Sequence, residues 1–249
     1  MRRTFLPTDL APILLRNRFD GSIFVQATMA EGEAEWALGL ADANPFLKGV
    51  VAWADLTSDA LGSRLDDLMR HAKFKGIRHP THDEEDVNWL LRADVTRGLR
   101  ELEVRGIPFD LLLRPRHLPL IPELAARLPK LRMAIDHIAK PPIASGALDG
   151  WDRDIAAAAR CPLVYCKLSG MITEADWANW KPADLAPFVH HVLALFPPDR
   201  LMFGSDWPVC LQAGSWKAAL SAFTQGIGAQ PQAVRDKILG ETAMEFYRL

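Results

Sequence analysis

Seven short apolar runs, each ending at a polar residue, recur along the chain. A short apolar run bounded by turn-forming residues is typical of a buried β-strand. The runs cover residues 22–26, 49–55, 75–79, 109–114, 132–137, 163–169 and 201–206. Helical patterns lie between them at residues 31–43, 60–72, 85–105, 122–128, 152–159 and 184–195, and after the last run at 216–225 and 232–247. This alternation predicts βαβ units and a parallel sheet.

The spacing of the runs favours a barrel over an open sheet. Gln26 and Asp206, which end the first and last runs, are 180 residues apart over six steps. A (β/α)₈ barrel also takes roughly 30 residues per unit. A doubly wound sheet would carry a G-x-G-x-x-G loop after its first strand, and the residues after Gln26 lack one. We therefore predict an α/β fold of the TIM-barrel type, formed by residues 1–249 as a single domain.

One strand of the eight is absent from the pattern. Residues 1–20 contain a helical stretch at 10–15 and leave no room for a full strand before it. The first strand is therefore predicted to be missing, or replaced by an irregular segment at residues 2–6. If so, the remaining sheet has two unpaired edges, which invite mispairing.

The polar residues that end the runs are the candidates for chemistry, because catalytic groups of such barrels collect at the C-terminal ends of the strands. Asp206 could act as a general base on water, although an Asp beside Gly and Pro often only caps a turn. His137 follows Asp136, and strand alternation predicts that the two point in opposite directions. A structural histidine bonded to a backbone carbonyl is the alternative for His137.

Four further residues are predicted to bind the substrate. The planar guanidinium of Arg78 could clamp a carboxylate or another substrate oxygen, and a salt bridge under the barrel rim is its alternative role. Lys167 lies in an apolar run, where an unpaired ammonium group is costly, so it should face either a partner or the pocket. Trp207 could form a pocket wall or serve only in packing. His79 shares its strand end with Arg78, and strand alternation sends the two to opposite faces, so a structural role is equally open for His79. The other histidines, at positions 71, 82, 117, 190 and 191, are interpreted as surface or helix residues.

Composition narrows the class of protein. The 249 residues are 49% hydrophobic and 24% charged, with a net charge of −2, which is ordinary for a globular protein. No basic field is available for nucleic acid, and no apolar stretch reaches the 18 residues of a membrane span. The N-terminus lacks the apolar core of a secretory signal. Three cysteines without metal or redox spacing fit a reducing cytosol. We expect a cytoplasmic protein with a small-molecule partner; nothing in the sequence specifies an oligomeric state.

The ordered motifs resemble those of the amidohydrolase-related family, in its sugar-lactonase and dicarboxylate-lactonase branch. The resemblance spans nearly the whole chain and is carried by Lys75-Gly-Ile-Arg-His79, Asp136-His-Ile-Ala-Lys-Pro141, Cys166-Lys-Leu-Ser-Gly170 and Gly204-Ser-Asp-Trp-Pro208. The Trp-Pro-Val-Cys form of the last motif is more similar to the L-fucono- and L-rhamnono-lactonases than to the pyrone-dicarboxylate enzymes.

The resemblance implies a hydrolase that opens a small sugar-acid lactone. Asp206 would activate water, while His137 and Arg78 would polarise the carbonyl and stabilise the oxyanion. Family members also carry a His-x-His strand at the start, whereas the first histidine here is His71. The chain is therefore expected to be short by about one βα unit, through a misassigned start at Met1 or a true truncation, and to have little activity without that unit.

The sequence leaves alternatives open for the cofactor and for the function. Without the His-x-His pair, His137 and Asp206 would supply only two of the three protein ligands usual for catalytic zinc. The expectation is no certain cofactor, and a divalent metal such as zinc only if that strand is supplied. A metal-dependent non-oxidative decarboxylase on the same scaffold is the alternative enzymatic hypothesis. A non-catalytic remnant that only binds a ligand is the third, since the fold alone does not decide function.

Overall fold

Seven parallel strands form the centre of the molecule, which we describe from a computed structural model for residues 3–249. They are β1 (Ser22–Val25), β2 (Leu47–Ala52), β3 (Phe74–His79), β4 (Phe109–Leu111), β5 (Met133–Ile135), β6 (Val164–Leu168) and β7 (Leu201–Phe203). The strands pair in chain order, from β1 at one edge to β7 at the other. All six pairings are parallel. The predicted barrel-type α/β architecture is confirmed.

Helices follow the strands and cover the outside of the sheet. They are α1 (Pro7–Arg16), α2 (Glu31–Ala43), α3 (Leu61–Met69), α4 (Ala93–Arg105), α5 (Ile121–Arg127), α6 (Trp151–Ala159), α7 (Pro182–Leu195), α8 (Trp216–Ile227), α9 (Gln232–Asp236) and α10 (Thr242–Tyr247), with one π-helical segment (Lys237–Glu241) between the last two. Among the described residues, no helix is both long and apolar enough to cross a membrane.

The region before β1 is helical rather than extended. Residues 3–6 form no strand, and Arg2, the other end of the predicted substitute segment, lies outside the described residues. Leu10 and Leu14 of α1 pack with Trp216 of α8. Phe19 continues this contact, 5.1 Å from the ring of Trp216 and 5.8 Å from that of Phe203. The helix α1 therefore packs beside β7, the edge strand.

Strand alternation divides the core into two parts. Outward-facing residues such as Val50, Ile77 and Phe109 belong to the large core between the sheet and the helices. Inward-facing Val51, Ala134 and Met202 form a smaller cluster with Phe246 and Tyr247 of α10. Because β-strand side chains alternate between faces, Arg78, Asp110, Asp136 and Lys167 also project toward this interior.

The helix predicted at 85–105 is wrong in its first half. A short 3₁₀ turn at Trp89–Leu91 precedes α4, which begins at Ala93. Asp86 accepts a hydrogen bond from the backbone N–H of Asn88, and such local side-chain bonds compete with helix formation. The sequence pattern looked helical through this turn because Trp89 and Leu90 are apolar. Both are buried in the core without being part of the helix.

Candidate active site

His137 and Asp206 face each other just past the ends of two strands. β5 ends at Ile135 and β7 at Phe203, so both side chains lie at the C-terminal side of the sheet. His137 Nε2 is 3.7 Å from Asp206 Oδ1, and the two side chains are 13% and 15% exposed. This separation is too long for a hydrogen bond, but it allows both groups to contact one water molecule placed beside them.

Both residues have a backbone conformation that is unusual for their type. The φ angles of His137 and Asp206 are each 54°, in the left-handed region, which costs an L-residue about 1–2 kcal/mol. The strand thus ends two residues before the predicted end at His137, and strand alternation does not set the direction of this side chain. Strained residues of this kind concentrate at functional sites.

Ser169 and two glycines shape the surroundings of the imidazole. His137 Nδ1 lies 2.9 Å from Ser169 Oγ, so the serine hydroxyl fixes the ring orientation. A Cβ added to Gly170, whose φ is +61°, would lie 2.6 Å from His137 Nδ1, and one added to Gly204 would lie 2.8 Å from Ser169 Cβ. Both positions therefore require glycine for the ring and the serine to fit.

Arg78 and Lys167 are bound to two buried carboxylates in the barrel interior. Arg78 Nη1 donates to Asp136 Oδ2 at 3.1 Å, and its Nη2 donates to the Gln26 carbonyl oxygen at 2.7 Å. Lys167 Nζ contacts Asp110 and lies 2.6 Å from Asp136 Oδ1. The Lys167 ammonium group, predicted to face either a partner or the pocket, therefore has two carboxylate partners. We name these four side chains the interior ion cluster: Arg78, Asp110, Asp136 and Lys167.

The C-terminal helix completes the interior ion cluster from the opposite side. The Tyr247 hydroxyl lies 2.9 and 2.8 Å from the two carboxylate oxygens of Asp110, to which it donates. Tyr247 belongs to α10, which lies at the N-terminal ends of the strands, because Arg132 at the start of β5 donates to the Phe246 carbonyl. The interior is thus filled by a packed polar network rather than by an open channel.

Burial and charge act in opposite directions on the two carboxylates. Burial raises the pKa of Asp110 to about 6, against the opposing charge of Lys167. Burial would also raise the pKa of Asp136, but the positive charges of Lys167 and Arg78 outweigh it and hold that pKa well below its usual range. Asp136 is therefore the carboxylate that remains ionised in the cluster.

His79 and Trp207 lie apart from the interior ion cluster. His79 stacks on Trp89 with ring centroids 4.0 Å apart and bonds to Glu84 at 2.7 Å through Nε2. Trp53 donates to its Nδ1 at 3.2 Å. Burial lowers the pKa of His79. Within the described residues, no hydrogen bond or ion pair links His79 to His137 or Asp206; its role in substrate binding stays a prediction.

Trp207 lies next to Asp206 and packs toward the N-terminal segment. Its ring meets Phe5 edge-on with centroids 5.3 Å apart, and its backbone N–H donates to Ser205 Oγ at 3.3 Å. The Trp207–Pro208 peptide bond is cis. The indole therefore forms part of the wall between Asp206 and α1, and its contact with substrate stays a prediction.

The loops after β3 and β4 each carry a histidine with basic residues near it. Burial, together with the charges of Lys140 and Arg114, lowers the pKa of His82 to about 4. His117, interpreted from the sequence as a surface or helix residue, is fully buried instead. It accepts a hydrogen bond at Nδ1 from the Arg114 backbone N–H at 3.1 Å. The polar end of the strand at Arg114 was the available signal for this loop.

The side chains of His137 and Asp206 are potential ligands of a zinc ion. Catalytic zinc takes three protein ligands, with bonds of about 2.0 Å, and His137 Nε2 and Asp206 Oδ1 are close enough to be two of them. Among the described side chains, no group of three or more His, Cys, Asp or Glu residues is placed to hold a metal ion. These residues alone therefore do not form a complete zinc site.

Named proteins match nearly the whole chain. An L-fucono-1,5-lactonase of Burkholderia ambifaria is 35% identical over 254 residues, covering 99% of this chain and 86% of its own length. A crystal structure of an amidohydrolase from Burkholderia multivorans with bound zinc superposes with a TM-score of 0.93 at 35% identity, covering 99% of this chain and 89% of that one.

A more distant structure shares the fold alone. The 2,6-dihydroxybenzoate decarboxylase from Rhizobium has a TM-score of 0.71 at 13% identity, over 98% of this chain and 88% of its own. The profile of the amidohydrolase family matches residues 1–249. Since both the profile and the 35% identical relatives cover nearly every residue, the chain belongs to the amidohydrolase family.

Proposed function

We propose that this enzyme hydrolyses a small sugar-acid lactone, and that L-fucono-1,5-lactone is the first substrate to test. The observation that carries the proposal is the facing pair of His137 and Asp206, 3.7 Å apart at the C-terminal ends of the strands. Two relatives that are 35% identical bear the name L-fucono-1,5-lactonase, and this supports the choice of substrate.

Asp206 is proposed as the general base. Its carboxylate takes a proton from a water molecule, and the water oxygen forms a bond to the lactone carbonyl carbon. The carbonyl oxygen becomes an oxyanion. When the tetrahedral intermediate collapses, the ring C–O bond breaks, and the leaving ring oxygen takes the proton back from Asp206. The product is an open-chain hydroxy acid, which loses its proton to solvent at neutral pH.

His137 is proposed to stabilise the oxyanion. An imidazole N–H donates to developing negative charge most effectively when its direction is fixed before the reaction. Ser169 Oγ, 2.9 Å from Nδ1, provides that fixation and leaves Nε2 facing the space beside Asp206. No step of this reaction is assigned to a metal ion.

Arg78 and Lys167 are proposed to act chiefly as a scaffold, with substrate contact a secondary role. Both cations already bind carboxylates, since each contacts Asp136 and Lys167 also contacts Asp110. Their side chains are 14% and 12% exposed, so a small part of each remains accessible. A cation that is paired and buried holds its neighbours in place more than it attracts a ligand.

The test is steady-state hydrolysis of L-fucono-1,5-lactone at neutral pH, corrected for spontaneous opening. Asp206→Asn keeps the shape of the side chain and removes the base, so kcat should fall by about 10²–10⁴. Asp236→Asn, a change in helix α9, is the matched control. Each protein is assayed with added zinc and with a chelator, so that metal dependence is measured separately. A wild-type rate no higher than that of Asp206→Asn under both conditions would refute the proposal.

A further inference from the structure

A left-handed turn follows β5 and carries His137. The four consecutive residues His137, Ile138, Ala139 and Lys140 have φ angles of 54°, 47°, 60° and 52°. A β-branched residue such as isoleucine is rarely found at positive φ. Four successive left-handed residues without a glycine therefore form a conformation that the local sequence does not favour, and other parts of the molecule must hold it.

Trp151 holds the middle of this turn. It is the first residue of α6 and is fully buried. Its indole N–H donates to the Ile138 carbonyl oxygen at 2.8 Å. The ring also packs against Phe188 of α7, with centroids 5.3 Å apart. The bond therefore ties the turn to two helices outside the barrel.

The other polar contacts of the turn are weaker or do not touch its middle. Lys140 Nζ lies 3.7 Å from Glu174 Oε1, and both side chains are partly exposed, so this pair contributes little. Lys140 also closes the turn through its backbone N–H, which donates to the His137 carbonyl at 2.8 Å. Ile138 is fully buried, and Trp151 supplies the side-chain hydrogen bond to its carbonyl.

We propose that Trp151 is a positioning residue: by holding the Ile138 carbonyl, its indole N–H keeps the left-handed turn closed and directs the imidazole of His137 at Ser169 and Asp206. The kinetic part of this inference rests on the proposed lactonase function, whereas the geometric part does not. Loss of the bond lets the turn relax toward ordinary φ values, which moves the imidazole away from its position without changing any group in the site.

The kinetic test replaces the indole in two ways. Trp151→Phe removes the N–H and part of the ring; a second variant carries β-(3-benzothienyl)alanine at position 151, which keeps the bicyclic volume and exchanges only the N–H for sulfur. In both, kcat should fall by about 10- to 100-fold, because misplacing a reacting group by 1 Å can cost about 10² in rate. KM should change less than kcat. If Trp151→Phe does not fold, the isosteric variant carries the test.

The matched control is Phe188→Leu. This change disturbs the packing on the same indole ring but leaves the N–H and its acceptor in place. It should lower the melting temperature about as much as Trp151→Phe while leaving kcat within about twofold. Equal losses of kcat in both variants would show that packing, not the hydrogen bond, matters, and would overturn the proposal.

A second readout does not depend on activity. The ¹⁵N resonances of the His137 imidazole report its tautomer and its bond to Ser169, and they should shift in the isosteric variant and stay unchanged in Phe188→Leu. If the wild-type protein has no lactonase activity, this measurement still tests the positioning role. If the wild-type protein is active and neither the resonances nor kcat change in the isosteric variant, the inference is wrong while the proposed function stands.

Discussion

The interior ion cluster and the His137–Asp206 pair meet in the chain at the neighbouring residues Asp136 and His137, but they differ in how completely they are bonded. Every member of the interior cluster contacts an oppositely charged partner at 3.1 Å or less. The His137–Asp206 pair stands at 3.7 Å, and both side chains are partly exposed. Asp136 belongs to the first group, and the next residue, His137, to the second.

This difference separates residues that stabilise the fold from residues that can take part in the reaction. The charges of the interior ion cluster are already paired with one another, so the cluster has little capacity to change partners during a reaction, and breaking it typically costs several kcal/mol. A pair with a gap between its members can accept a water molecule and a carbonyl group. We therefore expect changes in the interior cluster to reduce stability first, and changes in the pair to reduce activity with little effect on stability.

The largest effect is expected for Asp136→Asn. The change leaves Arg78 and Lys167 buried with only the Asp110 carboxylate between them, and removing one partner from a buried ionic group typically costs about 3–5 kcal/mol. The free energy of unfolding, measured in denaturant, should fall by that amount. Glu123→Gln removes an exposed partner of Arg127 and should cost less than about 1 kcal/mol. Equal losses in the two variants would remove the distinction drawn for the cluster.

The second effect is expected for His137→Gln. Glutamine retains an N–H donor but not the direction set by Ser169, so kcat should fall by about 10²–10³, as when an oxyanion donor is lost. The melting temperature should stay within a few degrees of wild type. His190→Gln, on the exposed face of α7, is the control and should keep full activity. A large loss of stability in His137→Gln would show that this residue stabilises the fold, as the interior ion cluster does.

A third, smaller effect is expected for Tyr247→Phe. Asp110 would keep Lys167 but lose the hydroxyl group that donates to both of its oxygens. An unsatisfied buried acceptor typically costs about 1–3 kcal/mol, which unfolding in denaturant would reveal. Tyr165→Phe is the matched control, because the Tyr165 ring packs on Phe246 in the small apolar core that also contains Tyr247. A loss no greater than that of the control would show that the phenol does not support Asp110.

The smallest effect concerns pH. The folded-state pKa of Asp110 is raised to about 6 from an ordinary value of 3.8. The folded state therefore binds this proton more tightly than the unfolded state. Its contribution to stability is complete below about pH 4 and is lost as the pH rises toward 6.

The difference in unfolding free energy between wild type and Asp110→Asn isolates this term from the other groups. That difference should change by roughly 1–3 kcal/mol between pH 4 and pH 7, with the wild type losing relative stability as pH rises. A difference that is constant over this range, or that changes in the opposite direction, would contradict the raised pKa of Asp110.

Sequence reasoning identified the fold because its signal is repeated. Each of the seven regularly spaced apolar runs predicts the same architecture, so an error in the boundary of one run does not change the predicted fold. The ends of the runs also indicated Asp136 and Asp206, since an apolar run that stops at a charged residue predicts a side chain at a strand end. Lys167 was indicated by its charge within an apolar run. The helix at 85–105 failed because burial of Trp89 imitates helical periodicity.

Two features of the site could not be read from local patterns. The left-handed turn at His137 depends on the contact with Trp151, and hydrophobic periodicity carries no information on φ. The bond from Tyr247 to Asp110 joins residues 137 positions apart, and only the closed fold brings them together. The partner of Lys167 was expected, but its identity depended on strand register.

The most direct test of the central claim is the kcat/KM for L-fucono-1,5-lactone of the double variant His137→Gln/Asp206→Asn, compared with the two single variants. Groups that act as a unit show strongly non-additive losses. We predict that the double variant is no more than about threefold worse than the poorer single variant. A double variant whose loss equals the product of the two single losses would show that His137 and Asp206 act independently and would contradict the account.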